Sequence, residues 1–139
     1  MITPSLYPDS TWLPDIDWIA DVFVHGKPVT KKREHYPEPK EKAYKEAVAW
    51  TFKRSNPKHK MPPKGTMLAC WIMWERGRNK DGSEPKGKMD VDNVRKSVQD
   101  ALNGVAYVDD GQIKSELGRE ILVPYGDDAV YVTIGIVRG

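Results

Sequence analysis

The ten residues from Thr66 to Glu75, TMLACWIMWE, are nearly all apolar and include two tryptophans. A proline-broken segment ending at Gly65 precedes them, and a charged, glycine-rich stretch follows. A short apolar run of this length without alternation suits a strand covered on both faces. Such a strand needs partner strands on its edges and packed layers above and below, so it predicts a central strand of a sheet. With 139 residues, the chain has enough length for one such core and too little for two.

The segments around it supply the layers. From Pro39 to about Arg54, PKEKAYKEAVAWTFKR places Ala43, Ala47 and Trp50 at spacings of four and three, with Tyr44 and Val48 adjoining. That predicts an amphipathic helix ending near Ser55, with Lys42, Lys45, Glu46 and Lys53 facing outward. In a second helix, Val94, Val98, Ala101, Leu102 and Val105 recur at helical spacing, Asp92 serves as N-cap and Asn103-Gly104 suits the end. Before these, Val22, Phe23 and Val24 suggest a short strand ending at His25-Gly26-Lys27-Pro28. After them, Asp109-Asp110-Gly111 reads as a turn, and residues 113–123 and 129–137 as strands forming a hairpin or meander. The expectation is a single α+β domain, a mixed sheet packed with two main helices in the order β-α-β-α-β-β. Residues 1–18 read as an irregular arm before a domain over 19–139, and Arg76 to Lys88 as a mobile loop.

Several function classes fall away at this point. The longest apolar stretches are far too short for a membrane-spanning helix, and no basic-then-apolar leader opens the sequence. The lone Cys70 makes no internal disulfide and no cysteine-rich metal knuckle, which fits a reducing cytoplasm. Neither a P-loop nor a GxGxxG pattern is present, so no nucleotide cofactor is expected. His25, His35 and His59 show no metal-ligand spacing.

Formal net charge is only +2, but residues 25–64 hold twelve basic residues against four acidic, while residues 100–139 hold three basic against seven acidic. A basic stretch opposite a carboxylate-rich one suits an enzyme that holds a phosphate backbone with Lys and Arg and a metal with acids. The carboxylates of interest are Asp90 and Asp92, two apart on the approach to the second helix, and Asp110, which the following turn returns toward them. Three converging carboxylates repel one another unless a cation joins them, and Mg²⁺ prefers such hard oxygen ligands. Lys96, one turn after Asp92, would reach the same phosphate and offset charge developing on it. The plainer alternatives are that Asp92 only caps the helix, Asp109-Asp110-Gly111 only turns the chain, and Lys96 only pairs with Asp100.

The run from Asp90 through Asp92-Asn93, Lys96 and Asp100-Ala101-Leu102, with Asp109-Asp110 before the next strand, resembles the RusA family of Holliday-junction resolvases. The resemblance is close over about 25 residues and coarse from about residue 20 onward. It implies a small homodimeric, Mg²⁺-dependent endonuclease, with Mn²⁺ as an alternative ion, that cuts branched DNA and especially four-way junctions by paired nicks. It implies that Asp90, Asp92 and Asp110 are metal-binding catalytic carboxylates and Lys96 the catalytic lysine. Such families are often carried by prophages, which implies a setting in phage recombination or repair. Lys31, Lys32 and Arg33 fall where the family has a basic loop, and their charge suggests DNA contact. Two further readings stand beside this one: a broader flap or fork nuclease, and a non-catalytic nucleic-acid-binding module.

Overall fold

The computed structural model describes residues 15–30, 39–87 and 90–138. Its elements are β1 (Ile16–His25), α1 (Pro39–Ser55), β2 (Leu68–Gly77), α2 (Val91–Ala101), a 3₁₀ turn (Asp110–Gln112), β3 (Ile113–Val123) and β4 (Ala129–Val137). The four strands form one mixed sheet in the order β1-β4-β2-β3. The domain is α+β, with the expected order of elements.

β2 is an inner strand, antiparallel to β4 on one side and parallel to β3 on the other. Its alternate residues Leu68, Cys70, Ile72 and Trp74 join the main core with Val94, Val98 and Leu102 of the α2 segment and Tyr44, Val48 and Phe52 of α1. On the opposite face Ala69 and Trp71 pack with Ile16, Trp18, Leu117 and Val137. Both sides of the strand therefore leave water, which is why the sequence there carries no polar alternation.

Four expectations are corrected. The last two strands form no hairpin: β2 lies between β3 and β4, and β3 instead runs parallel to β2 across the α2 crossover. A parallel pair needs a long connection, and the motif helix supplies it. The first strand is longer than Val22–Val24 and begins at Ile16, so the end of the supposed arm belongs to the sheet. Trp18 there sits edge-on to Trp71 with ring centroids 4.6 Å apart. Gly135 on β4 admits it, because a Cβ at that position would collide with Ile16 and approach Trp18 Cε3 to 2.9 Å. Residues 1–14, including Trp12, lie outside the described residues.

The third correction concerns α1, whose buried residues are Glu41, Tyr44, Val48 and Phe52. Trp50, expected in the core, is 62% exposed, and Ala43 and Ala47 are exposed too. Both stripes have helical spacing, and the aromatic Tyr44 and Phe52 bury more apolar area than two alanines. The fourth concerns the stretch after β2. Arg76 and Gly77 extend the strand, and Asn79–Ser83 closes on itself through Asn79 N–H to Ser83 O at 3.0 Å and Gly82 N–H to Asn79 O at 2.9 Å. Hydrogen bonds from Ser83 hold the Asp81 carboxyl below its usual range.

The core keeps several acidic protons. Burial pushes the Cys70 thiol from its ordinary 9.0 up to about 12 against a hydrogen bond from Gln99. Burial also raises the phenols of Tyr44 and Tyr107, and Tyr107 donates its hydroxyl proton to the carbonyl of Gln99 at 2.6 Å. The unfolded chain releases these protons at lower pH than the folded one, so the native state binds more protons above about pH 9 and stability falls as pH rises. The expected slope is about 1.4 kcal/mol per pH unit for each group titrating only in the unfolded state. Urea midpoints should be level from these groups between about pH 7 and 8.5 and decline by about pH 10.

Candidate functional site

α2 is capped by Asp90, whose backbone is extended (φ −119°, ψ 168°) and whose Oδ1 accepts the Asn93 N–H at 2.9 Å. The N-cap is thus Asp90 and not Asp92. Asp92 lies in the first turn, where a negative charge suits the positive end of the helix. Burial of Val94, Ser97, Val98 and Gln99 fixes the rotation of the helix, and Asn93, Lys96 and Asp100 then form a polar stripe at spacings of three and four.

That stripe faces α1 across a cleft of about 410 Å³, whose lining includes Glu41, Lys45, Lys96, Asp100 and Asp110. Lys45 Nζ bridges the two helices, 2.6 Å from Asp100 Oδ2 and 3.0 Å from Glu41 Oε1. Burial opposes the charge on Lys45, but the hydrogen bonds to Asp100 and Glu41 outweigh it and raise its pKa. Asp100 is therefore committed to Lys45. Lys96, the alternative partner suggested by the sequence, makes no ion pair among the described residues and lines the same cleft as Asp110.

The two aspartates of the Asp109-Asp110 pair divide their work. Asp109 caps the 3₁₀ turn, with Oδ2 accepting the Gly111 N–H at 2.9 Å in a capping box completed by Gln112. Gln112 also donates to Pro63 O and Thr66 O, which ties the turn to the start of β2. Asp110 is left to line the cleft and is oriented by Asn103, whose Oδ1 accepts its N–H at 2.8 Å and whose Nδ2 donates to its Oδ2 at 3.3 Å. Asn103, read from sequence only as a helix end, thus fixes the Asp110 backbone and carboxylate.

The structure brings Lys96 and Asp110 to one cleft and leaves Asp90 and Asp92 off its lining. Asp92 Oδ1 pairs with Arg95 at 3.2 Å, and Arg95 reaches Glu116 on β3 at 2.7 Å. Among the described residues no three His, Cys, Asp or Glu side chains converge as a metal-holding group. The donors still fit Mg²⁺ in kind, since all three are hard carboxylate oxygens. Each also keeps acceptor capacity beyond the hydrogen bond it receives from Asn93, Arg95 or Asn103. His59 has a structural role, with Nε2 2.7 Å from Ala106 O and its ring edge-on to Phe52. Lys31, Lys32 and Arg33 lie outside the described residues.

The family model described as Endodeoxyribonuclease RusA matches residues 22–136. The chain belongs to the RusA family. The match spans every element from within β1 to within β4, and it contains the Asp90-Asp92-Lys96 helix and the Asp109-Asp110 pair. By family the chain is an endodeoxyribonuclease, a hydrolase of phosphodiester bonds. Residues 1–21 precede the matched segment. No curated protein matches the chain. No helix among the described residues is long and apolar enough to cross a membrane.

Proposed function

We propose that this member of the RusA family is a homodimeric, Mg²⁺-dependent endonuclease that resolves four-way DNA junctions by paired phosphodiester hydrolysis, in the recombination and repair of cellular or phage DNA. The observation that carries the reading is Lys96. It is a lysine without an ion pair among the described residues, lining the same cleft as Glu41, Asp100 and Asp110, in the helix that the family match contains. An unpaired ammonium there is suited to bind a phosphate oxygen and to stabilise the charge that develops as the bond breaks.

Asp90, Asp92 and Asp110 would hold the metal, with Mg²⁺ as the first choice and Mn²⁺ the second. A divalent ion held by these carboxylates would supply Lewis-acid activation of a water and charge stabilisation for the leaving oxygen. Asn103 hydrogen-bonds Asp110 on the cleft lining, and Arg95 pairs with Asp92 at 3.2 Å in the first turn. A two-fold dimer would offer two such clefts to the two strands that a junction requires cut.

The test is an end-labelled four-way junction incubated with the protein, with and without Mg²⁺, beside a fork and a linear duplex. Symmetric metal-dependent cuts in the junction support the proposal, equal cutting of the fork replaces it with a broader branched-DNA nuclease, and binding without cutting replaces it with a binding module. Lys31, Lys32 and Arg33 belong to the same reading as phosphate contacts. Changing all three to Ala should weaken junction binding and lower the slope of log affinity against log salt by about 0.9 for each phosphate no longer neutralised. An unchanged slope would remove this loop from the DNA interface.

A further inference from the structure

A second and larger cleft, of about 1050 Å³, adjoins the first and shares Thr30 and Asn93 with it. Among the described residues its lining gathers Lys27, Arg76, Arg78, Lys80 and Lys86 against a single acid, Asp128. Asp128 is already engaged, because its Oδ2 accepts the Gly77 N–H at 3.0 Å. Gly77 allows that approach, since a Cβ there would run into the Asp128 carboxylate. The acid therefore ties the β3–β4 turn to the end of β2, and Lys27, Arg78, Lys80 and Lys86 have no ion pair among the described residues.

The cations differ in what else they do. Arg76 lies 4.9 Å from the centroid of Trp74 and 3.5 Å from Glu120, and Arg78 donates to the Gly82 carbonyl at 3.2 Å. Lys27 and Lys86 have no ion pair among the described residues. The lining also contains two aromatic side chains. Trp74 is 1% exposed, and its indole N–H finds no acceptor among the described residues, which is unusual for a buried donor. Tyr125, on the turn after β3, is 58% exposed with Lys80 Nζ 5.7 Å from its ring centroid.

A polyanion satisfies the cations, and an exposed ring between them selects among polyanions. In a continuous duplex the faces of the bases are covered by their neighbours, whereas an unpaired strand can lay a base on an aromatic ring while its phosphates meet surrounding lysines and arginines. We infer that this cleft binds an unpaired DNA strand, one base stacked on Tyr125 and the flanking phosphates held by Lys27, Arg78 and Lys86, and leads it past Asn93 toward Lys96. The choice of DNA rests on the nuclease reading, and the cleft adds that the preferred branch carries unpaired nucleotides beside the cut.

The experiment is fluorescence anisotropy of a labelled oligo(dT) and of a blunt duplex of equal length, without divalent cation, for the unaltered protein, Tyr125→Ala and Tyr125→Phe. Tyr125 is exposed on a turn, so neither change opens the core. Tyr125→Ala should weaken single-strand binding about ten-fold, Tyr125→Phe should retain it, and duplex affinity should change less than about two-fold. Arg78→Ala and Lys86→Ala should each lower the salt slope for the single strand by about 0.7. Unchanged single-strand affinity in Tyr125→Ala, or an equal loss for the duplex, overturns the inference. Junction cleavage by the unaltered protein tests the nuclease reading separately: a chain that cuts junctions without Tyr125-dependent strand binding loses only the cleft assignment, and one with that binding but no cleavage loses only the nuclease.

Discussion

Asp92→Asn should leave the protein folded and bound to a four-way junction while reducing Mg²⁺-dependent cleavage by roughly two orders of magnitude or more. Loss of a group that merely supports a metal ligand already costs about 10–100-fold, and removing the charge of a ligand costs at least that. The structure makes this variant informative because Asp92 carries little of the fold. Its side chain is 68% exposed and pairs with Arg95 at 3.2 Å. An exposed pair of that kind contributes about 0–1 kcal/mol, so lost cleavage could not be assigned to lost folding. Asp90 is less clean, since its carboxylate also caps α2, although Asn is itself a good N-cap and Asp90→Asn should cost little stability. A thermal midpoint within a few degrees of the unaltered protein, junction binding by gel shift and cleavage of end-labelled DNA are the three readouts. Cleavage near the original rate would end the three-carboxylate mechanism.

Lys45→Met should lower stability by about 3 kcal/mol, a fall of roughly 10 °C in the thermal midpoint for a domain of this size. Glu41 is only 2% exposed, and Lys45 is its one ion-pair partner among the described residues. Without the ammonium, Glu41 must either take up a proton or draw water into the packing between α1 and the core. Asp100 is 55% exposed on the same bridge and loses little. Following Lys45→Met with Glu41→Leu should recover most of the loss, because a buried pair replaced by apolar groups is close to neutral. A single variant as stable as the unaltered protein would mean the bridge only decorates the cleft.

Local pattern carried much of the fold. A ten-residue apolar run marked an inner strand, helical spacing set α1 and α2 nearly to their ends, and the motif helix announced both its buried side and its polar side. The face of α1 was less legible, since Ala43-Ala47-Trp50 and Tyr44-Val48-Phe52 are equally periodic and only contact with β1 and α2 selects between them. For the candidate site, the structure brings Lys96 and Asp110 to one cleft lining and leaves Asp90 and Asp92 off it, and the contact of Asn103 with Asp110 gave no signal in the sequence because it depends on their meeting across the helix end.

The sequence by itself determined most of the strand and helix content, because this depends on neighbours within a few positions along the chain, and it carries the match to the family over residues 22–136. The tertiary structure decided what depends on distant segments meeting. It set β2 between β3 and β4, committed Asp100 to Lys45 and brought Lys96 and Asp110 to the lining of one cleft. It also gathered Lys27, Arg76, Arg78, Lys80 and Lys86 from two separate stretches around Tyr125. The physical reason is that periodicity records which side of an element leaves water, but not which other element covers it.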